Sequence, residues 1–291
     1  MEPVRIGIIG GSGLYNMPEF TNAVEHRIDT PFGPTSDAIV VGTLRGQQVA
    51  FLPRHGRGHV LTPSEVPYRA NIYALKTLGV THVISVSACG SLKEELEPGH
   101  IVIPDQLFDF TKDERGRTFF GGGFVAHIGV ADPFCRVLGD VLAEASAGVG
   151  GTVHRGGTFV TIEGPRFSTK GESGVWRQLG FSIIGMTTAP EAFLAREAEM
   201  HYAVMAHVTD YDVWHTAETV SAELAFSRFQ KNVALAQRAV TATIEKIGGA
   251  AFDCGCDSAL SSALLTHRDR IPAQVVERLQ PIVGKYFKAN P

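Results

Sequence analysis

The most informative polar residues of the chain are two aspartates that follow an apolar run. Asp210 and Asp212 come directly after residues 202–209, which have the composition of a buried strand. Side chains two positions apart in a strand point to the same face, so both carboxylates are expected in one site. Buried carboxylates need partners or a chemical task, and a cap or turn explains one of them more easily than both.

A second polar segment, residues 53–59, places cationic donors between glycines. Arg54 offers a planar fork that matches phosphate, and His55 follows it directly. A solvated basic loop is the alternative interpretation. The spacing of His55 and His59 would suit zinc only on a helix, and the two glycines in this segment argue against a helix.

Glycines also follow the first apolar run, residues 5–9. Backbone N–H groups of residues 10–13 could bind an anion, although a plain tight turn is the alternative. The dinucleotide-binding fingerprint requires a third glycine where Asn16 stands, and the sequence has no G-K-[ST] motif. Neither an NAD site nor a P-loop is therefore predicted.

The chain has four cysteines among 291 residues, which is not a disulfide framework. Cys89 follows a buried run and is expected to be a small core residue, because no base lies near it in sequence. Cys254 and Cys256 are compatible with a strained disulfide or a redox pair, but the cytoplasm is the expected compartment and favours the reduced state.

Strand patterns alternate with helix patterns along the chain. The predicted strands cover residues 5–9, 38–44, 48–52, 80–88, 100–104, 157–162, 181–187 and 202–209. The predicted helices cover residues 65–78, 168–179, 190–200 and 221–246, and another starts at Asp132 as its N-cap. This order predicts one α/β domain over residues 1–291, a central mixed β-sheet flanked by helices, with a helical C-terminal region from about residue 250. Ligands of such sheets bind beyond the carboxyl ends of the strands, where the polar residues above fall.

Composition excludes several functional classes. Hydrophobic residues make up 44% and charged residues 19%, which is typical of a globular chain. The net charge of −4 gives no basic excess for nucleic-acid binding. No apolar run is long enough to span a bilayer, and the N-terminal residues lack the layout of a signal peptide.

Seven segments together resemble the trimeric purine nucleoside phosphorylase superfamily, within it the methylthioadenosine phosphorylase family. They are residues 6–13, 29–33, 54–59, 81–92, 161–169, 185–198 and 209–214. The resemblance implies a pentosyltransferase of purine and methionine salvage, in which phosphate attacks the ribosyl C1′ of S-methyl-5′-thioadenosine and releases adenine and 5-methylthioribose 1-phosphate. It also implies a homotrimer or a dimer of trimers.

The resemblance assigns roles to individual residues. Phosphate is expected at Ser12, Arg54, His55, Ser87, Ala88 and Thr187. The nucleoside is expected at Met186 (ribose), Phe167 (stacking on the base), Asp210 and Asp212 (base), with Ser168 as a specificity residue and His127 lent to the neighbouring subunit's site. No metal and no organic cofactor are expected, because phosphate is a co-substrate.

The paired aspartates favour a 6-aminopurine. A carboxylate only accepts hydrogen bonds and adenine donates from its amine, whereas a 6-oxopurine presents an acceptor. Asp210 is the candidate acid that protonates N7 of the leaving base. Three alternatives stay open at this point: a phosphorylase for 6-oxopurine nucleosides or methylthioinosine, a nucleosidase that uses water, and a non-catalytic nucleotide-binding protein.

Overall fold

A mixed β-sheet runs through the centre of the chain. The computed structural model describes residues 4–11, 13–14, 16–112, 115–216, 221–248 and 250–287. Within these residues the sheet has 11 strands. In chain order they are β1 (Ile6–Gly10), β2 (Thr21–His26), β3 (Ile39–Leu44), β4 (Gln47–Pro53), β5 (His82–Ser91), β6 (Ile101–Ile103), β7 (Gln106–Phe110), β8 (Val153–Arg155), β9 (Thr158–Ile162), β10 (Ile183–Gly185) and β11 (His201–Asp210).

Strand β5 connects the parts of this sheet. It pairs in parallel with β1 and, along most of its length, with β11. The main path runs β2-β3-β4-β1-β5-β10-β9-β7, while β11, β6 and β8 branch from β5. The pairs β3–β4 and β5–β10 are antiparallel, so the predicted mixed sheet is confirmed.

Helices cover both faces of the sheet. They are α1 (Tyr68–Thr77), α2 (Arg136–Gly148), α3 (Lys170–Gln178), α4 (Thr188–Glu197), α5 (Ala222–Ile247), α6 (Ala273–Arg278) and α7 (Gln280–Phe287). Residues of α1, α4, α6 and α7 share one buried apolar cluster, which we name the α1–α4 cluster after its first two helices. Residues of α2 and α5 share another, the α2–α5 cluster. Among the described residues, every helix is too short or too polar to cross a bilayer.

Strand β11 lies between these two helical layers and is buried at every residue. Successive side chains of β11 point to opposite faces of the sheet. Tyr202 and Val204 pack in the α1–α4 cluster, whereas Ala203 and Met205 pack in the α2–α5 cluster. A strand buried on both faces has a continuous apolar sequence, which is why residues 202–209 are recognisable as a strand from sequence.

Two predicted helix starts are wrong by three residues each. Helix α1 starts at Tyr68 rather than at residue 65, and Pro67 is its N-cap. Val66 precedes this proline, and a residue in that position disfavours the helical conformation. Helix α2 is capped by Cys135 rather than Asp132, since the Cys135 sulfur accepts the Leu138 N–H at 3.4 Å. The short or exposed strands β2, β7 and β8 were not predicted.

Candidate active site

Asp210 and Asp212 lie together over Gly90, at the carboxyl end of β5. A Cβ placed on Gly90 would be 3.0 Å from Asp210 Oδ1 and 3.3 Å from the Cβ of Asp212, so glycine is needed for the close approach. Both aspartates are buried, at 5% and 3% exposure. The structure therefore brings the two carboxylates into one place, as the sequence predicts.

The reason for this convergence differs from the predicted strand alternation. β11 ends at Asp210, and Asp212 begins a 3-10 turn with a left-handed backbone, φ +50°. A bulge precedes this end, because Val208 pairs with Cys89 and Asp210 with Gly90, which leaves Thr209 as an extra residue. The bulge and the turn, rather than a period of two, direct both carboxylates to the site.

Hydrogen bonds fix both aspartates. Asp210 accepts from the Thr209 hydroxyl at 2.8 Å and from the backbone N–H of Asp212 at 2.9 Å. Asp212 accepts from the hydroxyl of Ser173, on α3. Burial raises the pKa of Asp212 to about 6, and the bond from Ser173 only partly offsets that rise. The site thus contains a carboxyl group whose pKa is raised toward neutral pH.

Arg54 is buried, and its guanidinium faces Glu191 of α4 instead of an open cleft. Nε and Nη2 donate to the two carboxylate oxygens at 2.8 and 2.9 Å. Nη2 also donates to Ser85 at 2.6 Å, and Nη1 donates to the Val86 carbonyl at 3.2 Å. Burial opposes the charge, but Glu191 outweighs it and holds the pKa of Arg54 above its ordinary value. The planar fork expected to clamp phosphate is therefore paired within the chain, and among the described residues one Nη1 N–H is left for an anion.

His55 follows Arg54 and is neutral rather than cationic at pH 7. Burial, with Arg54 beside it, lowers its pKa to about 4. Its Nδ1 lies 2.8 Å from the Leu61 carbonyl, which requires a proton on Nδ1. The lone pair is then on Nε2, so a neutral His55 can accept a hydrogen bond from the protonated oxygen of hydrogen phosphate.

Two hydroxyls predicted to bind phosphate meet across the sheet. Ser87 and Thr187 are buried, and their oxygens lie 3.4 Å apart. Thr187 is the N-cap of α4 but makes no side-chain cap bond, so its hydroxyl is available to a ligand. Ala88, next to Ser87, is exposed at the end of β5. The predicted phosphate residue Ser12 lies outside the described residues.

The predicted ribose and base residues lie on two neighbouring loops. Met186 packs so closely over Gly164 that a Cβ there would be 2.5 Å from its sulfur. Phe167 is 36% exposed, so part of its side chain is accessible to a ligand. Ser168 is buried, and its hydroxyl has no partner among the described residues. That unpartnered hydroxyl fits the specificity role predicted for Ser168.

Arg115 was missed by the sequence analysis and ties these loops together. Its Nη1 donates to the Met186 carbonyl at 2.6 Å, and Nη2 donates to the Glu163 carbonyl at 2.5 Å. Its Nε donates to the Glu163 carboxylate at 3.0 Å. A single arginine outside any motif carries no signal in sequence, so only the structure shows it.

His127 is not buried with these residues. It is exposed on a segment that pairs with the C-terminal region, where its N–H donates to the Ala263 carbonyl at 2.9 Å. That backbone contact holds the segment in place and leaves the imidazole exposed. This is the placement that a residue lent to a neighbouring subunit requires.

Comparisons with known proteins identify the family of the chain. The model of the Phosphorylase superfamily matches residues 5–245. The S-methyl-5′-thioadenosine phosphorylase of Chloroflexus aurantiacus is 55% identical over 99% of this chain and 100% of its own length. The enzyme of the same name from Gloeobacter violaceus is 54% identical over 99% of this chain and 97% of its own length.

Solved structures of methylthioadenosine phosphorylases superpose on this chain. A methylthioadenosine phosphorylase from an antarctic soil metagenomic library superposes with a TM-score of 0.92 and 49% identity, covering 97% of this chain and 99% of its own. A methylthioadenosine phosphorylase from Schistosoma mansoni in complex with adenine superposes with a TM-score of 0.84 and 36% identity, covering 91% of this chain and 99% of its own.

Proposed function

The chain belongs to the phosphorylase superfamily, and we propose that it catalyses the phosphorolysis of S-methyl-5′-thioadenosine to adenine and 5-methylthioribose 1-phosphate. The observation that carries the proposal is the pair of buried carboxylates over Gly90, in a chain more than half identical to enzymes of that name. The reaction makes the protein a pentosyltransferase of purine and methionine salvage. The cytoplasm is part of the same proposal, because four cysteines in 291 residues do not form a disulfide framework.

Phosphate supplies the nucleophile in this reaction. One of its oxygens attacks C1′ as the bond from C1′ to N9 of the purine breaks, and positive charge builds up on the sugar. We assign its binding to the Ser87 and Thr187 hydroxyls, to Nε2 of His55 and to the remaining N–H of Arg54. The hydroxyl and guanidinium donors are held in fixed positions, and fixed donors stabilise charge without reorganising during the reaction.

The aspartate pair acts on the base. Cleavage moves the electrons of the C1′–N9 bond into the purine, and a proton on N7 neutralises the leaving group. Asp210 adds to the rise in the pKa of Asp212, so the two carboxyl groups interact, and we assign one proton to the pair. Within the pair we assign delivery to N7 to Asp210, and both carboxylates accept from the adenine amine.

The pH profile tests the pair without removing either carboxyl. The pair must carry a proton, so kcat/KM at saturating phosphate should fall as the pH rises through the pKa of Asp212, about 6. Ser173→Ala removes a hydrogen bond that favours the ionised form, so the fall should move upward by about one pH unit. A profile unchanged by Ser173→Ala would exclude Asp212 from the titration.

Product analysis tests the proposed reaction. S-methyl-5′-thioadenosine incubated with phosphate should give adenine and 5-methylthioribose 1-phosphate, and the rate should fall to background without phosphate. Equal adenine release without phosphate would show a hydrolytic nucleosidase instead. Methylthioinosine serves as the matched substrate, and a faster reaction with it would favour the 6-oxopurine alternative.

We also propose that the site is completed by a neighbouring subunit, as the trimeric architecture of the family implies. His127 is exposed on a segment held by Ala263, so it is placed to reach a second copy of the chain. A homotrimer, or a dimer of trimers, is the closed assembly that would supply it.

Mixed oligomers test this sharing. His127→Ala and Asp210→Ala chains should each be inactive alone, because each lacks one half of every site. Oligomers assembled from both chains should regain activity, because some sites then combine an intact His127 with an intact Asp210. An absence of recovery in oligomers verified to contain both chains would contradict a shared site.

A further inference from the structure

Three of the four cysteines and one histidine converge on a point away from the strand ends that form the active site. Cys135, His201, Cys254 and Cys256 each direct one ligand atom to this point, and the four atoms lie within 4.8 Å of one another. Cys135, His201 and Cys256 are buried, and Cys254 is half-buried. None of these residues takes part in the proposed reaction.

Four of the six separations between these atoms are close to those of a tetrahedron around one ion, and the other two are at most 4.8 Å. The Cys254 sulfur lies 3.5 Å from that of Cys135 and 3.4 Å from that of Cys256. His201 Nδ1 lies 3.5 Å from the Cys135 sulfur and 3.2 Å from the Cys254 sulfur. Zinc bonds of ~2.3 Å to sulfur and ~2.0 Å to nitrogen place tetrahedral ligands about 3.5–3.8 Å apart. These four separations therefore need only small outward shifts of the ligand atoms.

Separate parts of the fold hold these ligands in place. Cys135 caps α2, and its N–H donates to the Tyr202 carbonyl at 2.8 Å, beside His201 at the start of β11. Gly255 has a left-handed backbone, φ +64°, between the two C-terminal cysteines, and this turn lets both sulfurs face the same point. The ring of His201 is packed against Phe252, with centroids 4.8 Å apart.

Charge at the cluster is balanced when a divalent ion is bound. Three thiolates around Zn²⁺ give a net charge of −1, and the Arg196 guanidinium donates to the Cys256 sulfur at 3.2 Å. The backbone N–H of Leu138 donates to the Cys135 sulfur at 3.4 Å. Groups that hydrogen-bond the ligands in this way commonly surround metal sites.

We propose that Cys135, His201, Cys254 and Cys256 form a structural Zn²⁺ site. Thiolate and imidazole ligands in tetrahedral arrangement select zinc over magnesium or calcium, and four protein ligands leave no open position for catalysis. Binding is not a redox step: three thiols lose their protons to solvent, and the ion gains three sulfur ligands and one nitrogen ligand. The reaction itself needs no metal, so this site is independent of the proposed function.

The site would tie the C-terminal region to the sheet. Cys254 and Cys256 lie on the chain that follows α5, whereas Cys135 and His201 belong to the start of α2 and to β11. Beyond the cysteines, Leu260 is buried in the α1–α4 cluster. A zinc ion would therefore fix the point at which the chain passes from one helical layer to the other.

Metal analysis of the full-length chain tests the proposal. The protein, produced in zinc-supplemented medium and purified without a metal-affinity step, should contain stoichiometric zinc by elemental mass spectrometry. Cobalt exchanged into the site should show the visible absorption of a tetrahedral ion with thiolate ligands. The Cys254→Ser/Cys256→Ser variant should lose the zinc, while Cys89→Ser, which alters the one cysteine outside the cluster, should retain it.

Three outcomes would contradict the proposed zinc site. A wild-type chain with only traces of zinc and no cobalt spectrum overturns the proposal, as does a disulfide between any two of the three cysteines in the freshly purified protein. If the double serine variant does not fold, the zinc content and the cobalt spectrum of the wild type still decide. Retention of zinc by a folded double variant would place the metal elsewhere.

Discussion

Replacing Arg54 with alanine is expected to raise the phosphate KM about 10- to 100-fold, the effect of losing one hydrogen bond from a charged donor. The same change should also destabilise the fold, because it leaves the Glu191 carboxylate buried without its cation. Breaking a buried ion pair in this way typically costs about 3–5 kcal/mol. Steady-state kinetics with varied phosphate and thermal unfolding measure the two effects.

A double variant separates the two effects of Arg54. Arg54→Ala/Glu191→Ala removes both charges, so it should recover part of the lost stability without recovering phosphate affinity. Glu191→Ala alone is the matched control, since it leaves a buried guanidinium. If the double variant regained a normal phosphate KM, the remaining N–H of Arg54 would have no role at the phosphate.

Asp210→Asn is expected to lower kcat/KM for methylthioadenosine by about 10²- to 10⁴-fold, the usual value of general acid catalysis. An amide cannot deliver the proton to N7, but its NH₂ group can donate to a 6-oxo group. The ratio of methylthioinosine to methylthioadenosine turnover should therefore rise in the variant. A wild-type enzyme that already prefers methylthioinosine would contradict the assignment of both aspartates to adenine.

The features that the sequence predicted depend on residues that are neighbours in the chain. Residues 202–209 were recognised as a strand because they are apolar on both faces. The carboxylate pair was likewise found because both residues follow one strand. Such features need only neighbours in sequence, so a single chain reveals them.

Contacts between distant residues could not be predicted in this way. Arg54 and Glu191 are 137 positions apart, so the sequence showed a cationic loop where the structure has a closed ion pair. The Cys135 sulfur meets that of Cys254 across 119 positions, and the sequence showed only the pair at Cys254 and Cys256. Long-range pairing depends on how the sheet is assembled, which spacing alone does not specify.

The bulge at the end of β11 separates the direction of the carboxylates from the pairing of the sheet. Thr209 has no partner residue in β5, so the ladder between the two strands would be complete without it. A chain that lost one residue here could keep the sheet and its packing while the last carboxylate turned away from Gly90. A one-residue change at this point would therefore alter the site while leaving the architecture that carries it in place.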